Sequence, residues 1–529
     1  MTGHVEPNNV VQFRAIPYAT IPARYKRSIL LDSLETTNRD FTKHGFACPQ
    51  IKPLDNTRGG LFKDEPHPWP MDEFKCTILQ INIPLSLLQN PPPKSNKLPV
   101  LVYIHGGGFY LGNIDSHHST HLVVSKSITD AQPIIAVNIQ YRVGALGFLY
   151  TDEANSNCAL NDQRTALLWL QKFIGGFGGD RERVTVFGES AGSMSICYHM
   201  LAPPPPEGPL FNRAILMSGI LGPISTPVFI EQAEARAEEF KKMLQKMGVD
   251  GPDHASVEDV VAASQKLIEN STLWLHVQAD GWFGAETGKL TWDRVPELLG
   301  KCEWVDEIVV GTTGFEGPTM IANAQKMTPT SFLKGIEDQI GPKAASRTKE
   351  IYRLTEDMDQ NLFLTPAMQW IGDVVFDAPA QNLVRYLTTK TDKKVYRYIF
   401  DARNPFPGHP LYQTAHHWVD IYYLFMTCQF RYPSQRLKDL SKKHAQLWTD
   451  FANGKAPWKE FKYGDGEEAV MMIAEERDGW IERTVAEDAA LNERDTLQRA
   501  ERLWETWAGE QGILRRSSTL PTAPFRRSE

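Results

Sequence analysis

The run Val184-Thr185-Val186-Phe187-Gly188-Glu189-Ser190-Ala191-Gly192-Ser193 constrains this chain more than any other stretch. Val184 to Phe187 is a short β-branched and aromatic segment, suited to a buried parallel strand. Gly188-Glu189-Ser190-Ala191-Gly192 is a G-x-S-x-G pentapeptide, the pattern of a serine on a sharp turn between a strand and a helix. Such a turn lifts the serine hydroxyl above the sheet edge, and the flanking glycines leave room for crowded backbone. A helix beginning at Ser190 aims its positive end and its free N–H groups at any oxyanion formed there. The pentapeptide alone is only moderately specific, because glycine and serine are common. A strand–turn–helix connection with an inert serine also fits it, so the rest of the chain has to decide.

Upstream, Val10 to Ala19 reads as an early edge strand ending at Pro17, and Ile78 to Ile83 as another strand. Pro99 to Ile104 is a strong central strand that runs straight into His105-Gly106-Gly107-Gly108-Phe109. Three adjacent glycines cost backbone entropy. Their place after a core strand fits a row of backbone N–H groups that must approach a substrate oxygen closely. Ile134 to Gln140 is a strand, Ala159 to Phe173 an amphipathic helix, and Gly175 to Asp180 the turn that feeds the serine strand. Beyond the serine, Phe211 to Gly219, Asp306 to Val310 and Val395 to Phe400 read as strands. Glu231 to Lys246, Asp253 to Glu269, Leu437 to Ala452 and Glu487 to Gln511 read as helices. The alternation predicts an α/β fold with a large, mostly parallel central sheet flanked by helices. Met320 to Ala380, with breaks at Pro329, Pro366 and Pro379, reads as a helical cap insertion. No repeat or clear linker divides the chain, so residues 1–515 are expected to form a single domain, with 516–529 as an unstructured tail.

A net charge of -8 over 529 residues argues against a nucleic-acid footprint. No apolar run is long enough to span a bilayer. The first nine residues have neither a basic nor an apolar signal region, which points to a cytoplasmic protein. The six cysteines, Cys48, Cys76, Cys158, Cys197, Cys302 and Cys428, include no C-x-x-C pair, so a zinc site is not expected, and no motif calls for a cofactor. A Pro- and Gly-rich stretch that opens at Cys48-Pro49-Gln50 and runs through Pro70 is too long for a plain connection and reads as a lid or an Ω-loop.

A serine hydroxyl is a poor nucleophile at neutral pH and needs a base, which in turn needs an orienting acid. Glu316 is the best acid. It follows a strand and is framed by Gly311, Gly314 and Gly317, although a solvated loop glutamate would look the same; Asp280, Asp306 and Asp373 are rivals. The bases to weigh are His276, His409, His416, His417 and His444. His416 and His417 have the right topology, in a loop between a strand and an apolar helix, and the residues alone do not choose between them.

Taken together, these motifs resemble the type-B carboxylesterase/lipase family, which includes cholinesterases and fungal esterases and lipases. The resemblance is carried by Phe13 to Ala19 (FRAIPYA), Cys48-Pro49-Gln50, Glu73 to Cys76 (EFKC), His105 to Phe109 (HGGGF), Phe177 to Asp180 (FGGD) and Val184 to Ser193. It continues through Arg213 to Gly219 (RAILMSG), Glu307 to Gly317 (EIVVGTTGFEG), His417 to Phe425 (HWVDIYYLF) and Trp448 to Gly454 (WTDFANG). It implies an α/β-hydrolase fold with Ser190 as nucleophile, Glu316 as acid and His417 as base. It further implies Gly107, Gly108 and Ala191 as oxyanion donors, with Glu189 and Ser218 in supporting positions. It also implies a disulfide between Cys48 and Cys76, which a reducing compartment would leave open. The residue before Glu316 is often acidic in the family and is Phe315 here, and Trp282 to Trp292 matches no clear family pattern.

The expected chemistry is hydrolysis of a small carboxylic ester through an acyl-enzyme on Ser190. Two alternatives share the framework: an acyltransferase that passes the acyl group to another acceptor, and a non-catalytic binding protein on the same fold. The sequence names neither the substrate nor the oligomeric state.

Overall fold

The Val184–Phe187 run belongs to a longer strand, Gly179–Glu189, whose last six residues are all buried. In the computed structural model, which describes residues 1–33, 39–51, 70–89, 97–114, 116–151, 156–270, 273–278, 281–283, 290–464, 469–492 and 495–509, this strand lies near the middle of a 12-stranded sheet. In chain order the strands are β1 Thr2–Glu6, β2 Val10–Pro17, β3 Ala19–Thr20, β4 Ile29–Leu30, β5 Asp40–Phe41, β6 Ile78–Pro84, β7 Leu98–Ile104, β8 Ile135–Ile139, β9 Gly179–Glu189, β10 Arg213–Met217, β11 Glu307–Thr313, β12 Lys394–Phe400, β13 Val470–Glu475 and β14 Gly479–Thr484. The short β3 and β4 pair with each other, and the large sheet runs β14-β13-β12-β11-β10-β9-β7-β8-β6-β2-β1-β5.

From β8 to β13 the neighbours are parallel; β14, β6 and β2 join antiparallel at the two flanks. Parallel strands covered on both faces must be apolar on both sides, and β7 shows this. Val100, Val102 and Ile104 enter one core, which they share with Leu160 and Leu167 of the Cys158–Phe173 helix and with Ile196 of the Ala191–Leu201 helix. Leu101 and Tyr103 point to the opposite core, against Val123, Leu440 and Trp448. The two-residue period of the strand therefore supplies both layers.

Several expectations change in the structure. β2 is not an edge strand, because β1 and β5 extend the sheet beyond it. The β13–β14 hairpin was not anticipated, although Asp478-Gly479 at its turn is a hairpin signal. Pro366 lies inside the Gln360–Gly372 helix, and Pro379 is the second residue of the Ala378–Lys390 helix; neither stops the helical run. Between those two helices sits a π turn, Asp373–Asp377. The helix expected over Glu487 to Gln511 is two helices, Val485–Asn492 and Thr496–Gly509. Most of the expected lid, including Phe62 and Trp69, and all of 516–529 lie outside the described residues. Cys48 and Cys76 stand as two buried free thiols, not as a disulfide. Cys48 Sγ accepts from Val143 N at 3.4 Å.

The loop after β8 is pinned by a buried ion pair. Arg142 donates from Nε to Asp162 Oδ2 and from Nη2 to Oδ1, each at 2.8 Å, and both side chains are essentially inaccessible. Burying two charges is costly, but removing only one of them costs more, because it strands the other. Asp162→Asn is expected to destabilise the protein by about 3 kcal/mol, read as a lower urea midpoint at an unchanged slope; an unchanged midpoint would show that water already reaches this pair.

Candidate active site

β9 ends at Glu189, and the chain turns at Ser190 with φ 56° and ψ −123° into the Ala191–Leu201 helix. A positive φ is strained for serine. The turn is anchored by Ser190 N, which donates to Met217 O at 2.9 Å. The elbow glycines are set by crowding. A Cβ at Gly188 would stand 2.6 Å from Gly192 C, and one at Gly192 would run into the Ile104 carbonyl at the end of β7.

Four further loops leave the carboxyl ends of neighbouring parallel strands and meet this turn. After β7, Gly107 and Gly108 take φ 108° and 60°. Among the described residues the N–H groups of Gly107, Gly108 and Ala191 have no acceptor. The glycine loop is held from both sides. Tyr141 donates its hydroxyl to His105 O at 2.7 Å and stacks on the His105 ring, centroids 4.1 Å apart. Gln50 clasps Gly112, accepting from its N–H at 2.7 Å and donating to its carbonyl at 2.9 Å.

After β10, Ser218 donates to Glu316 Oε1 at 2.6 Å, and Thr313 N donates to the same oxygen at 2.7 Å. Glu316 follows β11, and its other oxygen, Oε2, lies 2.7 Å from His417 Nδ1. Burial pushes the Glu316 carboxyl up; the His417 charge and the hydrogen bonds from His417, Ser218 and Thr313 outweigh it, so the group sits below the usual glutamate range. His417 lies beyond β12, and the Phe376 ring stacks on it at 4.1 Å with 22° between planes.

The rival residues fall elsewhere. His416 turns away from Ser190: its Nδ1 bonds the His417 carbonyl and its Nε2 lies 2.9 Å from Asn404 Nδ2. Burial lowers His416 to about 3. His409 accepts from Leu411 N, His444 packs among Phe400, Trp448 and Trp480, and His276 lies among Phe109, Phe148 and Tyr198. Asp306 is exposed at the foot of β11, Asp373 pairs with Arg499, and Asp280 lies outside the described residues.

Glu189, which the resemblance placed in a supporting position, faces the same imidazole, and Asp420, which the sequence did not single out, lies within electrostatic reach of it. Glu189 Oε1 is 3.1 Å from His417 Nε2. Neither Glu189 oxygen completes a hydrogen bond among the described residues. Burial, then the charges of Asp420 and Glu316, push the Glu189 carboxyl well above the usual glutamate range. Asp420, three residues past His417, is raised to about 7 by burial and by Glu316, and takes the Tyr398 hydroxyl at 3.1 Å. Ser190 Oγ makes no hydrogen bond to His417 among the described residues; such bonds often tighten only when substrate is bound.

The carboxylesterase family model matches residues 2–492. The chain belongs to the carboxylesterase family. Its relatives include lipase 1 of Yarrowia lipolytica, 28% identical over 462 residues and covering 86% of each chain. Lipase 2 of Diutina rugosa is 34% identical over 493 residues, covering 83% of this chain and 85% of the relative. Among solved structures, a thermophilic PNB esterase superposes with a TM-score of 0.71 at 25% identity, covering 94% of this chain and 97% of the other. A second PNB esterase, at 24% identity and TM-score 0.72, shares the fold. The architecture is the α/β-hydrolase fold, and the chain is a carboxylic ester hydrolase of the serine class.

Two outcomes follow from the geometry. His417→Gln should lower kcat by roughly 10⁴-fold, whereas His416→Gln should stay within about tenfold of wild type because His416 only braces the loop; the reverse order in p-nitrophenyl ester assays would reassign the base. For Asp420 the folded state holds its proton up to about pH 7, while an unfolded aspartate releases it near 3.9. The folded state therefore binds more protons across this window, and stability falls as pH rises through it. Relative to Asp420→Asn, wild type should lose up to roughly 4 kcal/mol between pH 4 and pH 8. Parallel urea-midpoint curves for the two proteins would refute this.

Proposed function

We propose that Ser190 is the nucleophile, His417 the general base and Glu316 its orienting acid, with Gly107, Gly108 and Ala191 as the oxyanion donors. The observation that carries this reading is the 2.7 Å bond between Glu316 Oε2 and His417 Nδ1, made beside a serine on a positive-φ turn. That bond fixes the Nδ1–H tautomer and leaves Nε2 as the lone-pair nitrogen.

On this reading the Ser190 oxygen attacks the ester carbonyl while Nε2 takes its proton. The imidazolium formed is balanced by ionised Glu316. The carbonyl oxygen becomes an oxyanion received by the three N–H groups, each worth about 100- to 1000-fold in rate. Collapse of the tetrahedral intermediate breaks the C–O bond, His417 returns the proton to the departing alcohol, and the acyl group stays on Ser190. Water then repeats the sequence, releasing the acid and restoring the hydroxyl.

The substrate class is a small carboxylic ester. Among the described residues no helix is long and apolar enough to cross a membrane.

Ser190→Ala should lower turnover of p-nitrophenyl esters by at least about 10⁴-fold and abolish labelling by a fluorophosphonate. Retained activity or labelling would refute the nucleophile assignment. A panel of esters varied in acyl and alcohol size, with and without an added alcohol acceptor, reports preference and separates hydrolysis from acyl transfer.

A further inference from the structure

The π turn at Asp373–Asp377 lies directly behind the proposed Glu316–His417 pair. A π turn inserts one residue into a helix; it is uncommon, is held in place by surrounding contacts, and is found often at functional sites. Here it touches both members of the pair. Phe376, within the turn, stacks on His417 at 4.1 Å. Gly372, immediately before it, presses on the acid's backbone: a Cβ there would be 2.9 Å from Gly317 N and 3.2 Å from Glu316 Cβ. From the other side, a Cβ on Gly317 would run into the Met368 carbonyl. The helix and the acid loop are thus in backbone contact.

The turn is held from outside by one guanidinium. Arg499, on the Thr496–Gly509 helix, donates from Nε to Asp373 Oδ2 at 2.6 Å and from Nη2 to Asp373 Oδ1 at 3.1 Å. Tyr352, at the end of the Pro342–Tyr352 helix, donates its hydroxyl to the same Oδ2 at 2.6 Å. Asp373 is fully buried, and so is Asp377 at the far end of the turn, whose Oδ1 has no hydrogen-bond partner among the described residues. Two buried acids in one turn are costly together unless a cation holds at least one of them.

We propose that Arg499 is a positioning residue for the catalytic histidine: through its fork to Asp373 it holds the π turn in register, and the turn holds Phe376 on His417 and Gly372 against Glu316. This rests on the assignment of His417 and Glu316 above. The register argument is geometric. Relaxing the extra residue to α-helical spacing rotates the following side chains by about 100° about the helix axis. Phe376 would leave the imidazole face, and His417 would lose the surface that fixes its ring plane. The C-terminal helix, which contributes no group to the ester, thereby sets the geometry of the base.

The test uses the full chain and the variants Arg499→Leu, Arg499→Lys, the paired Arg499→Gln with Asp373→Asn, and Phe376→Leu, with Ser190→Ala and His417→Gln as controls. Readouts are kcat and KM on a p-nitrophenyl ester per fluorophosphonate-titrated site, and the downfield proton NMR resonance of the His417–Glu316 hydrogen bond. Arg499→Leu should lower kcat by about 10- to 100-fold with KM within about twofold, because only alignment is lost. It should also broaden the downfield resonance. Arg499→Lys, which restores a cation, and the neutral pair, which removes the stranded acid, should each recover most of kcat. Should Arg499→Leu fail to fold, Phe376→Leu reads the same step, with the same kcat-selective loss. A folded Arg499→Leu or Phe376→Leu with wild-type kcat overturns the proposal. So does a loss of kcat that neither Arg499→Lys nor the neutral pair rescues. If both controls are inactive while these outcomes occur, the triad assignment stands and the positioning role falls; if the controls stay active, both fall.

Discussion

Everything at this site depends on seven parallel strands ending at the same edge. Ser190 follows β9, Ser218 follows β10, Glu316 follows β11, His417 lies beyond β12, and the glycine loop follows β7. In an open α/β sheet the carboxyl ends of the strands are where ligands bind. The parallel register brings residues far apart in sequence within a few ångströms without any loop having to reach far. The bond between Glu316 and His417 is short because β11 and β12 are neighbours, paired from Glu307–Lys394 to Thr313–Phe400. The apolar content of those strands, buried on both faces, is the source of that rigidity.

The same crowding sets the electrostatics. Glu316 and Glu189 flank one imidazole with Asp420 within electrostatic reach, and the titration of the three carboxyls is separated by their hydrogen bonds. Glu316 receives bonds from Ser218, Thr313 and His417 and remains below the usual range. Glu189 receives none and is held well above it. Asp420, which accepts from the Tyr398 hydroxyl, lies between them, at about 7. Ionising one of these groups opposes ionising the others, so the bonds that favour the Glu316 carboxylate also push Glu189 upward.

Much of this was legible in the chain because its signals are local. A strand run followed by G-x-S-x-G, three glycines after another strand, and an acid framed by glycines each follow from backbone needs over a few residues. The choice between His416 and His417 was not legible from residue chemistry, since adjacent histidines differ only in direction. That direction is set by Asn404 and by the Phe315–His416 bridge. Phe376 and Arg499 were invisible for the same reason, since nothing near either residue points to His417. The prolines misled because Pro366 and Pro379 read as breakers, while tertiary packing tolerates one and the helix start accommodates the other. The β13–β14 strands carried a turn signal at Asp478-Gly479 but little surrounding punctuation.

The Gln50 clasp on Gly112 has a consequence for how such an enzyme can change. The side chain that closes the glycine loop comes from the segment entering the stretch read as the lid, and it also bonds the Cys48 carbonyl. Residues 48–51 are therefore tied mechanically to the glycine loop. A substitution or insertion that repositions this segment to admit a different ester also shifts the backbone that follows Gly107 and Gly108. Selectivity and rate share a hinge here, and a change in one is transmitted to the other.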